Sequence, residues 1–222
     1  MTEIVAPGFR YRLTRADVLW AARAVAYETS DAEEQAATLW TLTQAFVAGT
    51  ASVPDPRSRF GTFADFVRAY AQPVNPLWDS LDDDKCRRFP NSCTPRQMAR
   101  RTEARTARFD DLDELAEFRD ASNIEEIVTL WASGLLPNPV PGAVEYAAPS
   151  VSSSFLARID DAEIVSRQDQ WYIALRRNRA QAERVAMRPG PYPFSLLGGA
   201  LLATTIAGAV VGGTYVALRW AR

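Results

Sequence analysis

The chain has 222 residues, 47% of them hydrophobic, and a formal net charge of -2 at pH 7. That size and composition suit one core-forming domain, and a charge so near neutral excludes a general nucleic-acid binder. Histidine is absent and cysteine occurs only at Cys86 and Cys93, which removes His-based triads, imidazole bases and common four-ligand zinc sites, so no metal and no cofactor is expected.

Residues 1–13 read as an N-terminal arm, without the apolar stretch of a secretory signal. Thr14-Arg15-Ala16-Asp17 has the form of a capping box, and Leu19, Ala22, Val25 and Ala26 follow at helical spacing. This predicts a helix ending near Glu28 or Thr29. Ser30-Asp31-Ala32-Glu33 opens a second helix to about Val47, with Ala36, Leu39, Trp40, Thr43 and Val47 on one face. Residues 48–58 read as a loop. Thr62-Phe63-Ala64-Asp65 opens a third helix, which Gln72-Pro73-Val74-Asn75-Pro76 breaks.

Residues 79–93 read as irregular. Asp79, Asp82, Asp83 and Asp84 form a solvated acidic turn; the EF-hand spacing is missing, so calcium is the weaker reading. Cys86 and Cys93 either close a small loop as a disulfide or remain reduced thiols. Helices are expected from Thr94-Pro95 and from Ser122-Asn123, the latter stopped at Gly134. Basic residues from Lys85 to Arg108 precede an acidic block from Asp110 to Glu117, a pattern that pairs across neighbouring helices or docks an anionic polymer. Residues 135–142 read as a rigid loop, Val144 and Tyr146 as a short strand, 150–154 as a polar patch and 170–187 as a basic helix. The expected class is mainly α.

Residues 188–193 form a short stiff linker into Phe194–Leu218, a run without a charged residue. As a helix it would measure about 37 Å, against a hydrocarbon core of about 30 Å. Tyr215 and Trp220 stand where an interfacial aromatic belt would fall. The expectation is a single C-terminal transmembrane helix, with a buried core helix as the alternative. Gly208 and Gly212 form a small-residue pattern through which two such helices can associate. Arginines before the run favour a cytoplasmic domain under the positive-inside rule.

The best candidate for chemistry is the Tyr27-Glu28-Thr29 corner. A carboxylate at a helix C-terminus meets the negative end of the helix dipole, and an aromatic neighbour adds desolvation. Both favour a retained proton, which a general acid for glycosidic cleavage needs. Most glutamates at helix ends are merely solvated, so the corner alone decides little.

The stretch AARAVAYETSDAEEQAATLWTLTQAF (21–46) resembles the opening of bacterial and phage cell-wall hydrolases of the spore-cortex-lytic type. The similarity continues at FVRAYAQPVNPLW (66–78), at KCRRFPNSC (85–93), at WASGLLPNPVPGAVEYAAP (131–149) and faintly at QWYIA (170–174). The resemblance implies a lysozyme-like helical domain over 14–187 and cleavage of peptidoglycan glycan strands by hydrolysis or transglycosylation. Glu28 falls on the family's catalytic glutamate. Gln72, Asn75 and Trp78 either line a sugar groove or stabilise a turn, and Tyr27, which flanks the acid, is expected to bind substrate. Members carry Asn-Arg near the end of the second helix, where this chain reads Thr43-Gln44-Ala45-Phe46. Gln44 stands in for the amide and the arginine has no counterpart, which leaves a non-catalytic structural or docking protein of a membrane or virion as the alternative. Asp31, Glu33 and Glu34 read as capping residues of the second helix rather than as a second catalytic carboxylate.

Overall fold

The computed structural model describes residues 2–76, 86–87, 93–106 and 123–189. In chain order these form β1 (Glu3–Ala6), β2 (Phe9–Arg12), α1 (Arg15–Glu28), α2 (Ala32–Ala48), α3 (Pro56–Arg59), α4 (Phe63–Tyr70), a 3-10 turn (Gln72–Val74), α5 (Pro95–Thr106), α6 (Ile124–Ala132), β3 (Glu145–Ala147), α7 (Pro149–Leu156), β4 (Ala162–Arg167), β5 (Trp171–Leu175), α8 (Arg176–Ala182) and β6 (Ala186–Arg188). About half of the described residues are helical, and two small antiparallel sheets, β2-β1-β6 and β3-β5-β4, complete the fold. The class is mixed rather than mainly α.

Helix α2 is the axis. Every residue from Glu34 to Ala48 is buried, so the helix has no polar face, and a one-sided stripe is the wrong description of it. Two of its hydroxyls are satisfied locally: Thr41 donates to the Ala37 carbonyl at 2.9 Å and Thr43 to the Leu39 carbonyl at 2.7 Å. Trp131 Nε1 donates to Thr43 at 3.0 Å, which ties α6 to the axis. Phe46 is the centre of an aromatic cluster with Tyr11, Phe63 and Phe66, at ring separations of 5.2, 5.3 and 5.7 Å. The helix stops at Gly49, whose φ of 86° brings it against the Pro54 carbonyl, where a Cβ would clash.

The capping signals hold with one shift. Thr14 and Asp17 make the reciprocal capping box of α1, and Thr62 accepts from the Asp65 amide at 3.0 Å at the start of α4. Asp31 rather than Ser30 caps α2, accepting from the Glu33 and Glu34 amides, both at 3.0 Å. Asp17 does more than cap. Its carboxylate also accepts from Tyr11 Oη at 3.0 Å and from the Ala64 amide at 2.7 Å, so one buried side chain joins β2, α1 and α4.

Three expectations are corrected. Residues 3–12, read only as an N-terminal arm, form strands: β1 pairs with β2 and, through Ile4 and Met187, with β6. Residues 170–187 are not one helix. Trp171–Leu175 is the central strand of its sheet and is almost wholly buried, and an apolar run of that length satisfies a strand as readily as a helix. The polar patch at 150–154 lies within α7, started by Pro149 at its first position, with the Ser152 hydroxyl returning to the Ala147 and Ala148 carbonyls.

Cys86 and Cys93 are joined as a disulfide, with Cα atoms 5.4 Å apart. Trp78, the aspartates at 79 and 82–84, the acidic block at 110–117 and the run Phe194–Leu218 lie outside the described residues. Among the described residues no helix is long and apolar enough to cross a membrane.

Candidate functional site

Glu28 is the last residue of α1, and the backbone beyond it is tightly held. The Thr29 amide returns to the Val25 carbonyl at 3.1 Å, Gln35 Nε2 donates to the Thr29 carbonyl at 3.0 Å, and the Asp31 amide donates to the Thr29 hydroxyl at 3.1 Å. The α1–α2 corner therefore presents the Glu28 side chain from a fixed position. No basic residue stands in the last turn of α1 to offset the helix dipole. Glu28 is half-buried, and Gln170 Nε2 donates to its Oε1 at 3.5 Å.

Gln170 belongs to the turn between β4 and β5, which the sequence places far from the corner. Its backbone amide donates to Glu34 Oε1 at 2.9 Å, so one residue touches both carboxyl groups. Burial raises the pKa of Glu34, with the charges of Asp169 and Asp31 adding to it and the amides of Gln170 and Asp169 opposing. Glu34 is thus a buried carboxyl that braces the turn, not a helix cap. Tyr172 Oη donates to the Glu34 carbonyl at 3.2 Å and lies 3.2 Å from the Thr38 hydroxyl.

A row of tyrosines continues from there. The rings of Tyr172 and Tyr146 are 6.4 Å apart and those of Tyr146 and Tyr70 are 6.5 Å apart. Burial raises the pKa of Tyr146 well above the usual phenol range, and the charge of Glu28 is the next cause. Burial likewise raises that of Tyr172. At the far end Tyr70 donates to Glu145 Oε2, and the Ala51 amide donates to Glu145 Oε1 at 2.8 Å. Burial raises the pKa of Glu145 against both of these hydrogen bonds and the charge of Arg177. The result is a wall of phenol rings with a carboxyl group at each end.

The other expected residues divide. Gln44 is fully buried, and its amide is completely used: Nε2 donates to the Val140 and Ala143 carbonyls, both at 3.1 Å, while Oε1 accepts from the Gly142 amide at 2.7 Å and from Asn138 Nδ2 at 3.2 Å. Two donors and two acceptor sites exhaust a glutamine, so Gln44 holds the 138–143 loop and has nothing left for a sugar. Asn75 is buried and donates to the Ala69 carbonyl at 2.6 Å, which is the turn-stabilising alternative. Gln72 is half-buried in the 3-10 turn, which packs against α1. Tyr27 is 3% exposed and packs in the core rather than lining an open groove.

Gln170, Tyr146, Tyr172 and Tyr70 escape a reading by local spacing, because their partners lie scores of residues away. The one usable signal was the QWYIA segment, whose aromatic pair follows the glutamine directly. Among the described residues no group of three or more histidine, cysteine or carboxylate side chains is arranged to hold a metal ion. No family model, no curated protein and no solved structure matches this chain.

Proposed function

We propose that the protein is a membrane-anchored enzyme that cleaves peptidoglycan glycan strands, with Glu28 as its general acid, and that a virion or injection particle carries it to the wall from outside, since a cytoplasmic domain would not meet that substrate. The observation that carries the reading is the corner itself: a half-buried carboxyl at a helix C-terminus, which the Gln170 amide reaches, set beside Tyr146 and the buried Tyr172. Helix-end dipole and partial desolvation both favour the protonated carboxyl. The acid gives its proton to the bridging glycosidic oxygen as the bond from that oxygen to C1 breaks. In the transglycosylase form the C6 hydroxyl oxygen of the same sugar bonds to C1 and its proton returns to the Glu28 carboxylate. That route needs one carboxyl group and no activated water, which suits a site whose neighbour Glu34 is buried and occupied. Phe194–Leu218 supplies the bilayer anchor, and Gly208 with Gly212 a face for self-association.

A second reading, a lysozyme-like body kept for docking without catalysis, is favoured by Gln44, whose amide serves the loop and not a groove. Product analysis separates the two. Full-length protein in detergent, incubated with purified sacculi, should release muropeptides ending in 1,6-anhydro sugars. Reducing ends would point instead to hydrolysis, and no soluble product would favour the docking reading.

A further inference from the structure

The sheet β2-β1-β6 has an outward face that the proposed chemistry does not use. The register places Arg12 and Arg188 on either side of Glu3, and Arg10 opposite Val5. Ile4 and Met187 are buried on the other face, and the Tyr11 ring packs on Phe46 there. Alternation therefore sends Arg10, Arg12 and Arg188 outward together, and all three are exposed. One carboxylate, Glu3, shares their face, 3.6 Å from Arg10. Three guanidinium groups against one carboxylate make a cationic face on a chain whose net charge is negative.

An apolar element adjoins the edge strand of that sheet. Gly134 has a φ of 73°, and a Cβ there would lie 2.9 Å from the Met187 carbonyl and 3.3 Å from Pro189 Cδ. The next residue, Leu135, is 62% exposed, the highest value among the large exposed hydrophobic side chains of the described residues. Pro189 lies five residues before the charge-free run begins at Phe194. Five residues reach at most about 18 Å.

From these observations we infer that the outward face of β2-β1-β6, with Leu135 at its β6 edge, docks on the anionic headgroup surface of a lipid bilayer. Arginines recognise the phosphates, and the leucine enters the apolar boundary beneath them. Leu135 favours a bilayer over a soluble polyanion, which offers no apolar phase. The inference rests on the membrane-anchor part of the proposed function and is independent of Glu28.

The test uses the full chain with vesicles of phosphatidylcholine alone or mixed with phosphatidylglycerol. Flotation with phosphatidylcholine alone reads the C-terminal anchor. Phenylglyoxal labelling, followed residue by residue by mass spectrometry, reads the sheet face. On the anionic vesicles labelling of Arg12 and Arg188 should fall at least about threefold relative to the exposed Arg158 and recover in high salt. Should the anchor fail, so that nothing floats with phosphatidylcholine, the docking face still predicts salt-sensitive flotation with the anionic vesicles. That flotation should be lost in Arg10→Gln/Arg12→Gln/Arg188→Gln and weakened in Leu135→Ser. Equal labelling of all three arginines on both vesicle types would overturn the inference. So would protection by double-stranded DNA without protection by vesicles.

Discussion

Gln44 illustrates how one side chain can set the position of a distant loop. Four hydrogen bonds join it to residues 138–143, three of them buried and the one from Asn138 partly so. Gln44→Leu keeps the volume but strands two carbonyls and an amide, and each stranded buried group costs about 1–3 kcal/mol. Urea unfolding of this variant should show a loss of about 3 kcal/mol or more; a change below about 1 kcal/mol would show that the loop finds other partners. None of this is legible at position 44 alone. An amide near the end of a helix reads the same whether it meets a sugar or a backbone 96 residues away.

Glu34 makes a second residue-scale prediction, with a sign. Burial raises its native pKa, so the folded chain binds more protons there than the unfolded chain does. Its contribution to stability is full below the unfolded value of about 4.3 and is lost as pH rises through the raised native value. Glu34→Gln keeps an oxygen for the Gln170 amide and has no proton to lose. The stability of the variant relative to the parent should therefore grow with pH across that window and then level off, as measured by denaturant unfolding at a series of pH values. A difference that stays constant through the window would contradict the burial of this carboxyl group.

Among the elements, capped helices announce themselves, and of the strands only β3 does, read at Val144 and Tyr146 and found at Glu145–Ala147. Thr14, Asp31 and Thr62 satisfy helix N-termini through bonds spanning two or three residues, so the signal and its cause share one short window. Strand β1 meets β2 across the short Pro7-Gly8 turn, but its other partner lies at residues 186–188, and no local pattern joins those ends. The consequence is testable on the segment read from sequence as an arm. Deleting residues 2–13 removes two of the three strands in that sheet, the buried Ile4 and Leu13, and the Tyr11 contacts to Asp17 and to the Phe63 amide. Thermal unfolding of the truncated chain should lose its cooperative transition. A transition within a few degrees of the parent would mean that the hairpin is an appendage after all.

At the scale of the whole molecule, the proposed site depends on a meeting of chain segments. The end of α1 supplies Glu28, the start of α2 supplies Glu34, the β4–β5 turn supplies Gln170, β3 and β5 supply Tyr146 and Tyr172, and α4 supplies Tyr70. Position 28 could be singled out in advance because a helix end and its dipole are local features. The rest of the site could not, because it is assembled by the β3-β5-β4 sheet folding back on the first two helices. Gln170 touches both carboxyl groups, so the geometry is joint: moving the turn would disturb the acid and its buried neighbour together.

The central claim is that Glu28 supplies the proton for glycosidic cleavage. The most direct measurement compares muropeptide release from sacculi by full-length protein and by Glu28→Gln, with both shown by unfolding to be equally stable. The account predicts release by the parent and a loss of at least about 100-fold in the variant. Equal release by the two proteins, or none from a folded parent, would contradict it.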